Sequence, residues 1–179
     1  SAFESAAMEL EDLESKGCRF VGIGEKNYPG LLMECDDPPI GLYYKGVSSP
    51  EIVFEGLPQI AVVGTRGLTH YGKDWCRRIV GAMARSGVKP LVVSGLALGV
   101  DVTAHRAAIE AGLPTVAVMA TGIDDLYPSR NRDVGELIAS TPGCALVTDY
   151  PPGTQAVRIN FLRRNRIIAG ICRATILVE

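Results

Sequence analysis

Arginine in this chain is concentrated toward residues 128–173. Between residues 128 and 173 stand seven arginines (Arg130, Arg132, Arg158, Arg163, Arg164, Arg166 and Arg173) against Asp133, Glu136 and Asp149. Guanidinium forks match phosphate oxygens, so a group of this kind suits a polyanion. Four segments carry the chemistry. Gly64-Thr65-Arg66-Gly67 follows an apolar run and sets a cation beside glycines that permit close backbone approach, although a glycine there is more often a plain turn residue. Ser94-Gly95-Leu96-Ala97-Leu98-Gly99-Val100-Asp101 offers backbone N–H groups as an anion cradle, with Asp101 either part of the site or a helix N-cap. In the segment 120–132, Tyr127 stands ready to stack on a base beside Arg130 and Asn131; a loop packed by its own tyrosine is the competing reading. The segment 149–153 leads to Arg163-Arg164-Asn165-Arg166. Crowding those arginines into a first helical turn opposes the helix dipole unless an anion or carboxylates compensate, which points to phosphate contact.

Little else in the chain could do chemistry. The two histidines are His70 and His105, and His105 reads as a packed residue because no second base or nucleophile accompanies it. The five cysteines are odd in number, scattered and without a CxxC pair, as expected of reduced cytoplasmic thiols filling core space. Neither GxGxxG nor GxxxxGK[ST] occurs. The sequence therefore assigns no catalytic residue, no metal and no cofactor.

The elements that position these segments follow from periodicity. Short apolar runs at 60–63, 91–93, 115–119, 145–147 and 175–178 predict strands, the first two with the character of strands buried on both faces. Between them, 71–86, 101–111, 130–140 and 160–171 predict helices; in the first, Trp75, Ile79, Ala82 and Met83 fall at core-facing spacing. Strict alternation of strand and helix implies a doubly wound, mainly parallel sheet with helices on both faces, an extended Rossmann-like arrangement over 58–179. Ligands of such sheets bind at the carboxyl ends of the strands, where all four segments fall. Residues 1–57 read as a broken α+β lead-in packed on that domain: a helix over 5–14, strands near 19–23 and 40–44, and a short turn between them.

Composition narrows the class. With 179 residues, 47% hydrophobic and 21% charged, the chain can bury a core and is not disordered. No window approaches the roughly 18 apolar residues of a membrane span, and the acidic first residues lack the basic region of a secretory signal. The net charge of −2 conceals a division: residues 1–57 hold 11 acids and 4 bases, whereas 58–179 hold 9 acids and 14 bases. Such asymmetry suits polyanion binding.

Taken together, 60–66, 94–101 with Ala104-His105, 121–124, Tyr127-Pro128 with Asn131, and Phe161 with 164–170 resemble the DprA/Smf family of bacterial DNA-processing proteins. The lead-in from Tyr28-Pro29-Gly30 to Lys45-Gly46 is similar as well, so the resemblance covers about residues 20–179. It implies a cytoplasmic, non-catalytic protein that binds and shields single-stranded DNA. It also implies loading of the RecA recombinase, often against single-strand-binding protein, in natural transformation and recombination. Arg66 is the family's strand-binding arginine by this match. The lysine expected after Tyr127-Pro128 is replaced by Ser129, with Arg130 next to it, and the expected Phe-Pro is Phe161-Leu162. The family's domain runs on past the equivalent of Glu179 and carries its homodimer contacts there, so the resemblance implies a fragment. Two alternatives remain. One is a nucleotide phosphoribohydrolase, whose Pro-Gly-Gly-x-Gly-Thr loop would follow the last strand; the other is a nucleotide sensor without catalysis.

Overall fold

The structure, a computed structural model, describes residues 2–179. In chain order the lead-in forms α1 (Ala2–Ser15), β1 (Cys18–Gly22), α2 (Gly30–Met33), β2 (Gly41–Lys45) and α3 (Pro50–Phe54). There follow β3 (Gln59–Gly64), α4 (His70–Arg85), β4 (Leu91–Ser94), α5 (Val100–Glu110) and β5 (Thr115–Val118). A 3-10 turn (Ser129–Asn131), α6 (Arg132–Ser140), β6 (Ala145–Thr148), α7 (Arg158–Ile171) and β7 (Ala174–Val178) complete the chain.

The seven strands make one sheet in the order β1-β2-β6-β5-β4-β3-β7. The five strands from β3 onward run parallel, and the lead-in joins the sheet through β2, which pairs antiparallel with β6 and with β1. Strand alternation sorts side chains between two layers of helices. Leu91, Val93, Val116, Val118 and Val147 point to one face, against Ile167, Ile168 and Ile171 of α7. Val62 and Val92 point to the other, against Cys76 and Val80 of α4 and Ala104 and Ala108 of α5. On that same face Ala117 and Leu146 meet Val134 and Ile138 of α6. Because β4, β5 and β6 are covered on both sides, their sequences are apolar without alternation. Among the described residues no helix is long and apolar enough to cross a membrane.

Three local expectations change. The fully buried stripe of α4 is Gly72, Cys76 and Val80; of the expected residues Ile79 and Met83 pack against the core, whereas Trp75 and Ala82 are exposed. Gly72 and Cys76 are small, and so are Ala104, Ala107 and Ala108 of α5, so the two helices approach on a face that hydrophobic spacing underrates. Helix α7 begins at Arg158, which puts Arg163, Arg164 and Arg166 in its middle rather than its first turn. Helix α3, unforeseen, buries Val53 and Phe54.

The chain leaves β3 for β4, β5 and β6 on one side and returns to β3's other side as β7. The reversal puts the topological switch point between β3 and β7, where such sheets open a crevice. On one face the sheet is covered by α7, with α2 and α3 beside it. Truncating Ile167, which is fully buried, to alanine is expected to lower the unfolding free energy by about 2–5 kcal/mol. Urea denaturation would read this as a lower midpoint at unchanged slope.

Candidate nucleic-acid interface

A pocket of about 390 Å³ opens at the switch point. The end of β3 contributes Gly64 and Arg66, α5 contributes Asp101, and α7 contributes Phe161, Arg164 and Asn165. Phe161 is its organising ring. The Arg66 guanidinium carbon lies 5.0 Å from the ring centroid and that of Arg164 lies 5.9 Å away. Tyr127 packs against the same ring at 5.7 Å, tilted by 59°. An arginine, an aromatic pair and a second arginine are thus joined at one crevice, drawn from three of the four segments. Phe161 was not among the site residues expected from sequence, although its place just ahead of the arginine cluster was the available signal.

Below the ring the arrangement is internal. Arg164 is 4% exposed and donates through Nη1 to the Val118 carbonyl at the end of β5. It faces Asp101, which accepts a hydrogen bond from the Ala97 N–H at 3.4 Å. Burial pushes the Asp101 carboxyl above its usual range, opposed by the Arg164 charge and by donors in the 94–97 loop. Burial likewise lowers Arg164, opposed by Asp101. The expected anion cradle therefore exists, but its anion is the protein's own carboxylate. Gly95 has no alternative here, because a Cβ would run into both the Asp101 carboxylate and the Arg164 guanidinium. Ser94 is fully buried and donates to the Val62 carbonyl at 2.6 Å, so it faces the sheet rather than a ligand.

The remaining expected residues divide in the same way. Arg166 pairs with Asp149 at 2.8 Å and donates to the Asp37 carbonyl at 2.9 Å, so carboxylates compensate it in place of a phosphate. Asn131 is buried and donates to the Leu96 carbonyl at 2.8 Å, tying the third segment to the second. Thr65 holds the first: its carbonyl accepts from the Val100 N–H at 3.1 Å and its hydroxyl accepts from the Gly67 N–H at 3.1 Å. Gly99 makes that approach possible at φ 81°, where a Cβ would strike the Thr65 carbonyl and the Arg66 backbone. The N-terminus of α4 is capped from within the chain. Thr69 Oγ1 accepts from the Gly72 N–H at 3.0 Å and donates to Glu179 Oε2 at 3.0 Å, which also accepts from the Thr69 N–H at 3.1 Å. Arg66, Tyr127, Arg130, Arg163 and Asn165 stay exposed to solvent.

His105 is fully buried. The Thr115 hydroxyl donates to the Val92 carbonyl at 2.9 Å, so His105 Nδ1–H donates to Thr115 at 2.7 Å. Nε2 is left without a hydrogen-bond partner among the described residues. Burial pulls the ring down to about 4, so it is neutral and structural at pH 7.

A doubly wound sheet with a crevice built at its switch point defines this as a Rossmann-like ligand-binding domain. The chain belongs to the family of DNA recombination-mediator protein A, whose model matches residues 19–179. It is 39% identical over 170 residues to protein Smf of Synechocystis, covering 95% of this chain and 42% of that protein. It is 37% identical to the DNA processing protein DprA of Streptococcus pneumoniae, covering 85% and 51% respectively. The chain thus spans about half the length of these curated relatives. The crystal structure of the S. pneumoniae protein superposes with a TM-score of 0.82 at 34% identity, over 94% of this chain and 58% of that one. DNA processing protein A from Helicobacter pylori, which has a single-stranded DNA binding mode, gives 0.74 at 26% identity, over 88% and 68%.

Two outcomes separate architecture from surface. Arg164→Ala leaves Asp101 buried without its counter-charge and is expected to remove about 3–5 kcal/mol of stability, whereas Arg66→Ala stays within about 0.5 kcal/mol; thermal unfolding distinguishes them. The unfolded chain protonates a histidine near pH 6.5 and the folded chain protonates His105 only near about 4. Between those values the unfolded state binds more protons, so the His105 contribution is full above about pH 6.5 and drains away toward pH 4. The loss amounts to about 3 kcal/mol. In a His105→Gln variant, stability followed from pH 7 to 4 is expected to lack that decline.

Proposed function

We propose that this chain binds single-stranded DNA in the switch-point crevice and holds it without catalysing a reaction on it. The observation that carries the reading is Arg66. Its guanidinium is exposed, makes no ion pair among the described residues, and is stacked on Phe161 at the mouth of the pocket. Phosphates contact Arg66 and Arg163, with Arg130 and Asn165 farther along. Bases stack on Tyr127 and on what Phe161 leaves uncovered, the combination of cations and rings that single-strand binders use. The backbone at Gly64 and Thr65 sets the Arg66 position, and the excess of bases over acids in 58–179 favours the approach of a polyanion.

Membership of the family and likeness to the H. pylori protein support this reading. Asp101, the one carboxylate lining the pocket among the described residues, is buried, accepts from the Ala97 N–H and feels the Arg164 charge. In the whole protein, of which relatives span about twice this length, the bound strand is handed to the RecA recombinase in competition with single-strand-binding protein. That protein acts as a cytoplasmic homodimer serving natural transformation and recombination.

Fluorescence anisotropy of labelled oligo(dT), against a duplex of the same length and at two salt concentrations, tests the site. The single strand is expected to bind tighter, with affinity falling as salt rises. Arg66→Ala weakens binding and reduces the log–log salt slope by about 0.7, one released phosphate contact. A flat salt response, or an Arg66→Ala variant that binds as tightly as the parent, overturns the reading.

A further inference from the structure

We infer that the outer face of α4 is a second station for the same strand, with Tyr71 and Trp75 stacking bases and Arg78 taking a phosphate. The inference rests on the single-stranded DNA reading of the crevice and carries the track outward from Arg66, past the rim of the pocket.

The face is built rather than left over. Tyr71, Trp75 and Arg78 stand at i, i+4 and i+7, which places them on one side of a helix. Tyr71 is 73% exposed and Trp75 41% exposed, because the buried stripe runs instead through Gly72, Cys76 and Val80. The two rings meet edge to face at 6.0 Å, and the Arg78 guanidinium carbon lies 5.7 Å from the Trp75 centroid. Single exposed aromatics are ordinary on protein surfaces. Two rings in contact with each other and with a cation form an ordered platform exposed to solvent.

Charge identifies the occupant. Helix α4 carries Lys73, Arg77, Arg78 and Arg85 against Asp74 alone, and among the described residues none of the four cations forms an ion pair. Elsewhere on this molecule carboxylates neutralise arginines, as Asp149 does Arg166 and Asp133 does Arg106. Aromatic faces interleaved with unpaired cations match a chain of bases and phosphates. Position supplies the continuity: Thr69 caps α4 three residues after Arg66, and Trp75 lies about 9 Å along the helix from that cap. A strand leaving Arg66 toward α4 meets Tyr71 first.

Trp75 is the only tryptophan in the 179-residue chain, so its fluorescence reports this face directly. Oligo(dT) of about four and about sixteen nucleotides, spanning the usual range of single-strand sites, is titrated in parallel. The long strand is expected to quench Trp75 and the short one to leave it unchanged. Tyr71→Ala with Trp75→Ala is expected to weaken the long strand by at least about tenfold without changing the short one. Tyr71→Phe with Trp75→Phe keeps the rings, retains long-strand binding and controls for folding. Arg78→Ala lowers the long-strand salt slope by about 0.7. If Arg66→Ala loses affinity while the double alanine variant binds the long strand as the parent does, the α4 station is overturned and the crevice reading stands. If the parent binds neither oligonucleotide, both fall. A Trp75 signal that follows protein concentration and ignores DNA overturns the inference in favour of contact between copies of the chain.

Discussion

The ligand end of this molecule hangs on one buried charge pair. Asp101 comes from α5 and Arg164 from α7, helices that cover opposite faces of the sheet, and the two meet beyond the strand ends. Removing two ions from water costs several kcal/mol each unless every lone pair and N–H finds a partner. Here the carboxylate takes donors from the 94–97 loop and the guanidinium gives to the Val118 carbonyl. The pair therefore sets the path of that loop, the height of α7 above the sheet, and the need for glycine at position 95. One turn before Arg164 on α7, Phe161 inherits its position, and Arg66 stacks on Phe161. A ligand-facing side chain on one loop is thus placed by two opposite charges buried on different helices.

That chain of dependence divides the arginines by role. Arg166 forms ion pairs with Asp149 and Asp37, and Arg164 is buried on the Val118 carbonyl with the Asp101 charge nearby, so both are largely engaged inside the protein. Arg66 and Arg163 lie farther out, exposed and without an ion pair among the described residues. Stacking on a ring also restricts the Arg66 side chain before any ligand arrives. Less rotamer freedom is then lost on binding, which raises affinity without a new contact.

The sequence made the strands and their order of alternation legible, because β4, β5 and β6 are buried on both faces and are therefore mostly apolar. The switch-point loops were legible for the same reason. What escaped depends on partners far away along the chain. Arg164 reads as a surface cation until Asp101 is brought to it from 63 residues earlier, and Arg166 until Asp37 arrives from 129 residues earlier. Nothing in a local window of 163–166 distinguishes a compensated arginine from a free one. The α4 face was misjudged on different grounds. Hydrophobic spacing favours large side chains, whereas α4 and α5 pack through Gly72, Cys76, Ala104 and Ala108, where closeness of approach outweighs side-chain area.

The divided charge acquires a geometric meaning from the sheet order. The acidic helix α1 packs on β1, at one edge of the sheet, while the crevice lies between β3 and β7 at the other. Five strand spacings separate β1 from β3, roughly 24 Å. That is about three Debye lengths at physiological salt, so a charge held at the β1 edge is largely screened from an anion at Arg66. The lead-in acids nearer the crevice act differently: Asp37 reaches Arg166 and is neutralised there. Net charge summed over the chain thus averages two regions that do not act on the same ligand, and the local balance around the switch point governs what binds there.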